Sequence, residues 1–117
     1  MKVPPSSREL LLKGVPVSAP TRIIGKVCVV RALADCSRMA PGGVLVARET
    51  SPAYFTAINK AGAIVTEVGG ILSHAAILSR ELGIPCVVNA ENATAVLKDG
   101  MEVIVDGDHG TVCGNSR

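Results

Sequence analysis

A short segment in the second half of the chain carries the residues best suited to chemistry. Thr66 is followed by Gly69 and Gly70 and then by Ser73 and His74, where an apolar run gives way to a helical pattern. Backbone N–H groups at a helix start are unpaired and partly positive, so phosphate or another anion is stabilised there. The same field disfavours imidazolium, and a neutral imidazole can accept a phosphoryl group and later release it. The residues alone therefore indicate an anion site with one histidine.

Each of these residues also has an ordinary structural interpretation. A histidine in a first helical turn is by default a surface or cap-region residue, and Ser73 is expected to be the helix N-cap. Ser73 and His74 lack a GxSxG elbow and a third partner, so an acyl-transfer triad is not expected. His109 lies in a hairpin tip with Asp106 and Asp108 and is expected to be exposed to solvent. This Asp-rich turn does not match a calcium loop, because it lacks the twelfth-position Glu.

The helix that positions this histidine is expected to run from Ser73 to about Leu82. At about 100° per residue, one of its faces is apolar and is expected to be buried: Ala75, Leu78 and Leu82. His74 lies at the rim of that face, supported and still reachable, and Ile77 on its other side could contact a docking surface. Arg80 is roughly 9 Å further along the axis, so an ion pair elsewhere is expected of it rather than phosphate binding.

The remaining elements follow from apolar runs separated by glycine and proline. Strands are expected near residues 14–18, 23–30, 44–47, 63–66, 86–88, 101–105 and 111–113, and helices at 52–60, 73–82 and 93–97. Alternation of strands and helices in the middle of the chain predicts an α/β fold with flanking antiparallel strands. Residues 1–13 are expected to be a loose arm with a short helical turn, and 14–117 a single domain.

Length and composition fit one domain with its own core. The chain has 117 residues, of which 48% are hydrophobic and 19% charged, with a net charge of +2. These values exclude a disordered chain, and the apolar runs are too short for a membrane span or a signal peptide. Nucleic-acid binding is not expected, because there is no dense Lys/Arg stripe and there is only one Tyr and one Phe.

The four cysteines show no pairing pattern and no zinc-ligand spacing, so no metal site is expected. Three of them, Cys28, Cys86 and Cys113, lie in Val-rich runs. This placement is typical of small buried thiols in a reducing cytoplasm, which is the location that the sequence favours. A metal or redox protein is correspondingly disfavoured.

Motifs along most of the chain carry a family resemblance. The site segment Gly69-Gly70-x-x-Ser73-His74-Ala75-Ala76-Ile77 is followed by Arg80-Glu81-x-Gly83-Ile84-Pro85-x-Val87-Val88, Ala93-Thr94, Leu97-x-Asp99-Gly100 and Val105-Asp106-Gly107-x-x-Gly110-x-Val112. Upstream motifs also fit, namely Gly42-x-Val44-Leu45-Val46-Ala47, Thr50-x-Pro52 and Ala63-Ile64-Val65-Thr66. Over about residues 14–113 the chain resembles the phosphohistidine, or mobile swivelling, domain of the phosphoenolpyruvate-utilising enzymes. That family includes phosphoenolpyruvate synthase, pyruvate, phosphate dikinase and enzyme I of the sugar phosphotransferase system.

The resemblance implies a compact β/β/α body with a mixed sheet that swings between two partner domains, in cis or in trans. An ATP-grasp domain would phosphorylate the histidine, and a TIM-barrel domain would bind phosphoenolpyruvate or pyruvate. His74 would carry the phosphoryl group on the ring nitrogen distant from Cβ. The phosphate cradle would be formed by Thr66, Gly69, Gly70 and Ser73. Arg80 would be a structural residue of the motif. No cofactor is expected in this chain, and ATP and Mg²⁺ (or Mn²⁺) are expected on the partner domains.

The resemblance implies a phosphoryl carrier that is charged from ATP or phosphoenolpyruvate and discharged to pyruvate, water or phosphate. Leu72 stands where members regulated by threonine phosphorylation have Thr, so that regulation is not expected here. No ATP-grasp or barrel segment fits into 117 residues, so the chain is not expected to be active alone. Two alternatives stay open: a carrier for a drug- or phenol-phosphorylating dikinase, and a non-catalytic docking module with the same fold.

Overall fold

The computed structural model describes residues 9–115 and has a mixed α/β architecture, as the sequence predicts. Its eight strands are β1 (Leu10–Lys13), β2 (Val15–Pro16), β3 (Arg22–Val29), β4 (Val44–Ala47), β5 (Ala63–Thr66), β6 (Cys86–Val88), β7 (Glu102–Asp106) and β8 (Thr111–Gly114). The helices are α1 (Phe55–Lys60), α2 (His74–Leu82) and α3 (Ala93–Val96), with 3-10 helical turns at Leu33–Arg38 and Pro52–Tyr54. The first of these turns lies between the strands predicted near residues 23–30 and 44–47, where the sequence analysis predicts neither a strand nor a helix.

All eight strands belong to one sheet, in the order β1-β8-β7-β3-β4-β5-β6-β2. The four central strands β3, β4, β5 and β6 are parallel, and the flanking strands pair antiparallel, as expected. The carboxyl ends of β3, β4 and β5 therefore lie side by side. The loop that leads into α2 starts at this edge, which is where parallel sheets place their ligands.

The two outer positions of the sheet are joined through Gly14. Strand β1 pairs with β8, and after this one residue the chain continues as β2, which pairs with β6 at the other end of the strand order. The sheet thus closes on itself. A Cβ on Gly14 would lie 2.3 Å from the carbonyl oxygen of Val88, so only glycine allows the chain to pass so close to β6.

The prediction of a helical turn within residues 1–13 is wrong for the part of this segment that the structure describes. Leu10–Lys13 forms β1, with Leu12 buried in the core and Leu10 56% exposed. The edge of β8 supplies the hydrogen-bond partner for this strand, and a register irregularity between Leu10 and Leu12 separates the exposed leucine from the buried one. Residues 1–8 lie outside the described range.

Alternation along the central strands divides the core into two clusters. In β4, Val44 and Val46 face the inside of the closed sheet, whereas Leu45 and Ala47 face the layer formed by the helices and turns. All four are fully buried. The wholly apolar runs of the sequence thus correspond to strands that are covered on both faces, as expected.

Helix α2 packs on the sheet through smaller residues than its sequence pattern predicts. Its buried residues are Ala75, Ala76 and Ser79, whereas Leu82 is 42% exposed. Of the expected face, Ala75 is buried and Leu78 is partly buried against the core, so the expectation is wrong only at Leu82. The expected helix at 52–60 is likewise divided into a 3-10 turn, capped by Ser51, and α1. Cys28 and Cys86 are buried as expected, while Cys113 is only partly buried.

Candidate functional site

Helix α2 begins at His74, and the residue before it caps the helix. The Ser73 side-chain oxygen accepts a hydrogen bond from the backbone N–H of Ala76 at 3.3 Å, which confirms the predicted N-cap. Upstream, the Thr66 hydroxyl donates to the carbonyl of Val68 at 2.8 Å. Since that hydroxyl is already engaged, Thr66 stabilises the turn that leaves β5 and directs the chain towards the helix.

The His74 ring is oriented by Thr50, at the end of the segment that follows β4. The Thr50 hydroxyl oxygen lies 2.8 Å from His74 Nδ1, and both side chains are partly buried. When Nδ1 carries the hydrogen and donates it to Thr50, the other ring nitrogen, Nε2, keeps its lone pair. In the part of the chain that the structure describes, the hydrogen bonds of the ring use Nδ1 and none uses Nε2.

A small pocket of about 200 Å³ opens beside the ring. Its lining residues are Glu49, Thr50, Thr66, Val68, Gly69, Ser73, His74 and Ala75. The structure therefore brings together four of the residues singled out in the sequence and adds Glu49 and Thr50. Gly70 does not line this pocket and lies exposed at the tip of the turn.

The two glycines of the turn differ in what they contribute. Gly69 has a φ of +137°, and a Cβ there would lie 3.2 Å from the oxygen of the Ser73 side chain. A larger residue would thus strain the backbone and crowd the cap of α2. At Gly70 a Cβ would meet nothing within 4 Å. Only Gly69 is sterically required by the site.

Arg80 lies two turns along α2 and binds backbone rather than an acidic side chain. Its Nη1 donates to the carbonyl of Val17 at 2.9 Å, and its Nη2 donates to the carbonyl of Ile71 in the loop before the helix. The expectation of an ion pair is wrong for the described residues, in which Arg80 forms none. A supporting role away from the reacting group, which its distance along the helix suggested, agrees with these contacts.

A carboxylate anchors the neighbouring loop at the same edge of the sheet. Glu67 accepts hydrogen bonds from the Thr94 hydroxyl at 2.5 Å and from the Thr94 backbone N–H at 2.8 Å. The side-chain and then the backbone hydrogen bond from Thr94 hold the pKa of Glu67 below its ordinary value, helped by nearby Arg48 and Arg31. Arg31 in turn donates to the Thr94 carbonyl at 2.9 Å. These contacts fix the first residue after β5 to the start of α3.

The model of one protein family matches residues 39–110 of this chain, which is more than half of it. The description of that family is "PEP-utilising enzyme, mobile domain". The chain belongs to this family. The matched range includes β4, β5, α2 and the whole pocket beside His74, so the family assignment and the geometry concern the same part of the molecule.

Several known proteins are similar to this mobile domain over nearly all of its length. A probable phosphoenolpyruvate synthase of Methanothermobacter thermautotrophicus is 44% identical over 106 residues, which are 91% of this chain and 15% of that protein. A pyruvate kinase of Geobacillus stearothermophilus is 43% identical over 105 residues, 89% of this chain and 18% of that protein. The chain thus spans less than a fifth of the length of either relative.

A solved structure of enzyme I, determined by NMR, has a similar fold. It superimposes with a TM-score of 0.59 and 37% sequence identity, and the match covers 70% of this chain and 34% of that one. The resemblance to phosphoenolpyruvate-utilising enzymes that the motifs carried is thereby confirmed. The predicted compact mixed α/β fold is confirmed as well.

The second histidine of the mobile domain lies away from the pocket. His109 is 71% exposed, and its Nδ1 lies 3.0 Å from a carboxylate oxygen of Asp106, as its place in a polar turn suggested. Within residues 9–115, no three His, Cys, Asp or Glu side chains are grouped so that they could hold a metal ion. Over the same range the structure has no helix that is long and apolar enough to cross a membrane.

Sequence reasoning missed the contribution of Thr50 and Glu49 to the site. Thr50 appeared only as part of a matching motif, 24 positions before His74, and nothing local links the two residues. The available signal was its place just after a fully apolar run. The carboxyl ends of neighbouring parallel strands meet at one edge, so polar residues that follow β4 and β5 are brought together there.

Proposed function

We propose that this mobile domain is a phosphoryl carrier in an enzyme of the phosphoenolpyruvate synthase or pyruvate, phosphate dikinase type. His74 takes a phosphoryl group from ATP or phosphoenolpyruvate on a partner domain and passes it to pyruvate, water or phosphate. The observation that carries this proposal is the contact of 2.8 Å between the Thr50 hydroxyl oxygen and His74 Nδ1. With the ring hydrogen on Nδ1, Nε2 keeps its lone pair and acts as the nucleophile.

The transfer step uses the tautomer that Thr50 supports. The Nε2 lone pair attacks the phosphorus, the bond from phosphorus to the donor oxygen breaks, and the leaving group keeps that electron pair. Nδ1 keeps its hydrogen and donates it to the Thr50 oxygen throughout, so the imidazole does not need to rotate. The helix N-terminus at His74 favours the added negative charge. The reverse sequence of bond changes delivers the group to the acceptor.

The size of the pocket supports a carrier rather than a complete enzyme. Its volume of about 200 Å³ suits a phosphoryl group. Sites for a nucleotide or a drug-sized ligand are usually larger, about 300–1,000 Å³. ATP and its Mg²⁺ or Mn²⁺ therefore belong, in this proposal, to an ATP-grasp partner domain, and pyruvate or phosphoenolpyruvate to a TIM-barrel partner.

Apolar side chains around the histidine are available for docking such partners. Ile71 is 67% exposed and Leu72 80% exposed in the loop before α2, and Ile77 is 41% exposed one turn after His74. Exposed aliphatic residues on both sides of a nucleophile suit a surface that is covered in turn by two partner domains. The cytoplasm is the proposed location, in keeping with four unpaired cysteines.

A chimaera tests the proposal directly. The mobile domain replaces the matching segment of the Methanothermobacter phosphoenolpyruvate synthase, and the chimaera is incubated with ATP labelled in each phosphate in turn. We expect acid-labile, base-stable label on the mobile domain and formation of phosphoenolpyruvate from pyruvate. His74→Ala should abolish both, whereas the matched control His109→Ala should retain both. Label that persists in His74→Ala, or an active chimaera without His74, would contradict the proposal.

A second candidate is a docking module that has kept the fold and does no phosphoryl chemistry. The observation that favours it is the relative named pyruvate kinase, since the domain is thus found in proteins of different names. The two candidates differ in one result. A docking module would support full activity of its host protein after His74→Ala, and a carrier would not. A phenol or a drug as acceptor would instead leave the His74 dependence intact and change only the product formed.

A further inference from the structure

The loop that presents His74 is weakly attached to the rest of the domain. Just after β5, the backbone N–H groups of Glu67 and Val68 bond to the end of β4, and Ser73 N–H bonds within the loop to Gly70 at 3.0 Å. For residues 69–72, the one described hydrogen bond that reaches outside the loop is the bond that Arg80 donates to the Ile71 carbonyl. Arg80 is thus the side chain that hydrogen-bonds this loop to the rest of the described structure.

That side chain is itself held at a second point. The other terminal nitrogen of Arg80 donates to the carbonyl of Val17 at 2.9 Å, and the Val17 N–H donates to the Cys86 carbonyl at 3.1 Å. Val17 also packs against the core cluster that faces the helices and turns. The planar guanidinium can reach two carbonyls in different directions at once, and it is always charged. The chain of contacts thus runs from β6 through Val17 and Arg80 to Ile71.

We infer that Arg80 is a positioning residue that sets the orientation of His74 by holding the carbonyl of Ile71. Each of its terminal nitrogens donates to a backbone carbonyl, so the guanidinium is held between Val17 and Ile71. Ile71 is two residues before the Ser73 cap and three before His74, so a shift of this carbonyl changes the start of α2 and the contact with Thr50. The part of this role that concerns phosphoryl transfer rests on the proposed function.

The test uses the whole chain and a donor that needs no partner domain. Phosphoramidate phosphorylates imidazole directly: the bond from phosphorus to nitrogen in the reagent breaks, ammonia leaves with the electron pair, and a bond forms between phosphorus and Nε2. The variants are Arg80→Ala and Arg80→Lys. The matched control is Arg22→Ala, an exposed arginine at the start of β3, whereas the site lies at the carboxyl ends of the parallel strands. The readouts are the rate of His74 phosphorylation and the ¹⁵N chemical shifts of the His74 ring, which report the tautomer.

We expect Arg80→Ala to slow the reaction by about tenfold or more, since small displacements of a reacting group are costly. The Nδ1-protonated fraction of the ring should fall, Arg80→Lys should recover part of both signals, and Arg22→Ala should match the unaltered chain. Added methylguanidinium, below denaturing concentrations, should restore part of the rate to Arg80→Ala. If Arg80→Ala fails to fold, the phosphorylation rate and the ring shifts of Arg80→Lys, compared with those of the unaltered chain, test the inference instead.

Two outcomes would overturn the inference. The first is an unchanged rate and unchanged ring shifts in Arg80→Ala. The second is a slower reaction with unchanged ring shifts and unchanged amide signals at residues 69–73, which would mean that Arg80 contacts the donor itself. The ring shifts are measured without any phosphoryl transfer, so a carrier function that fails in the chimaera would leave this result standing.

Discussion

The hydroxyl oxygen of Thr50 lies 2.8 Å from Nδ1 of His74, although the two residues are 24 positions apart in the chain. The contact joins the segment after β4 to the first turn of α2. It exists because β4 and β5 are parallel neighbours, so the chain leaves both strands at the same edge. The contact orients the imidazole ring, and in the proposed function it favours Nε2 as the nucleophile.

Replacing Thr50 by Val removes this contact at nearly constant volume. We expect the rate of His74 phosphorylation by phosphoramidate to fall by about 10- to 100-fold, because the ring loses its orientation and its preferred tautomer. The free energy of unfolding should fall by only about 1 kcal/mol, the usual net value of one hydrogen bond. Thr50→Ser keeps the hydroxyl and should keep most of the rate. A Val variant that reacts at the original rate would show that Thr50 has no part in the chemistry.

Alanine should destabilise the protein at Gly69 and should have little effect at Gly70. Gly69→Ala places a Cβ at a φ of +137° and against the Ser73 side chain, so we expect a loss of about 1–3 kcal/mol of stability and slower phosphorylation. Gly70→Ala meets open space and should change stability by less than about 0.5 kcal/mol. Urea unfolding of both variants measures the difference. Equal losses at the two positions would refute the steric role assigned to Gly69.

The Glu67 carboxylate should make stability depend on acid pH. Its pKa is lowered in the folded protein by the Thr94 hydrogen bonds, so the folded state binds the proton less readily than the unfolded chain. Its contribution is therefore present above the ordinary carboxyl range, about pH 4.3, and is lost as the pH falls through the lowered value.

Glu67→Gln tests this dependence. At pH 7 the variant should be less stable by about 1 kcal/mol, since a charged acceptor is replaced by a neutral one. This difference in the free energy of unfolding should shrink as the pH falls from the ordinary carboxyl range through the lowered pKa of Glu67. Glu91→Gln, at an exposed site, is the control and should show no such trend. A gap for Glu67→Gln that is constant from pH 7 to pH 3 would count against the lowered pKa.

Leu72→Ser separates partner docking from intrinsic reactivity. Leu72 is 80% exposed, so the substitution should leave folding and the phosphoramidate reaction unchanged. In the chimaera with phosphoenolpyruvate synthase, we expect overall turnover to drop several-fold, because an apolar contact with a partner domain is weakened. Ile24→Ser, 55% exposed on β3, is a control that should keep full turnover. Identical turnover in both variants would remove Leu72 from the docking surface.

Thiol labelling should rank the cysteines by burial. Burial raises the pKa of Cys86 to about 11, and this residue is fully inaccessible, whereas Cys113 is partly exposed. At pH 8 in the native protein, we expect a thiolate-specific reagent to modify Cys113 first and Cys86 only on unfolding. Mass spectrometry of digested samples measures the order. Early modification of Cys86 would mean that α2 opens readily from the sheet.

Several elements could be predicted because their signals are local. The fully apolar runs at β4 and β5 are bounded by glycine or polar residues, and the structure places these strands at 44–47 and 63–66 as expected. Ser73 was identified as the cap because its side chain satisfies a backbone N–H only three residues away. By contrast, Leu10–Lys13 was misassigned, since a run of leucines becomes a strand only when another strand offers its edge.

The sequence by itself determined the family, the start of α2 and the presence of a histidine at that start, since each depends on residues close together in the chain. The tertiary structure alone decided that Thr50 orients the ring and that Arg80 joins Ile71 to Val17, which lies 63 positions away. Local patterns specify which backbone groups pair within an element. They do not specify which strand ends become neighbours, because that depends on how the whole sheet closes around its core.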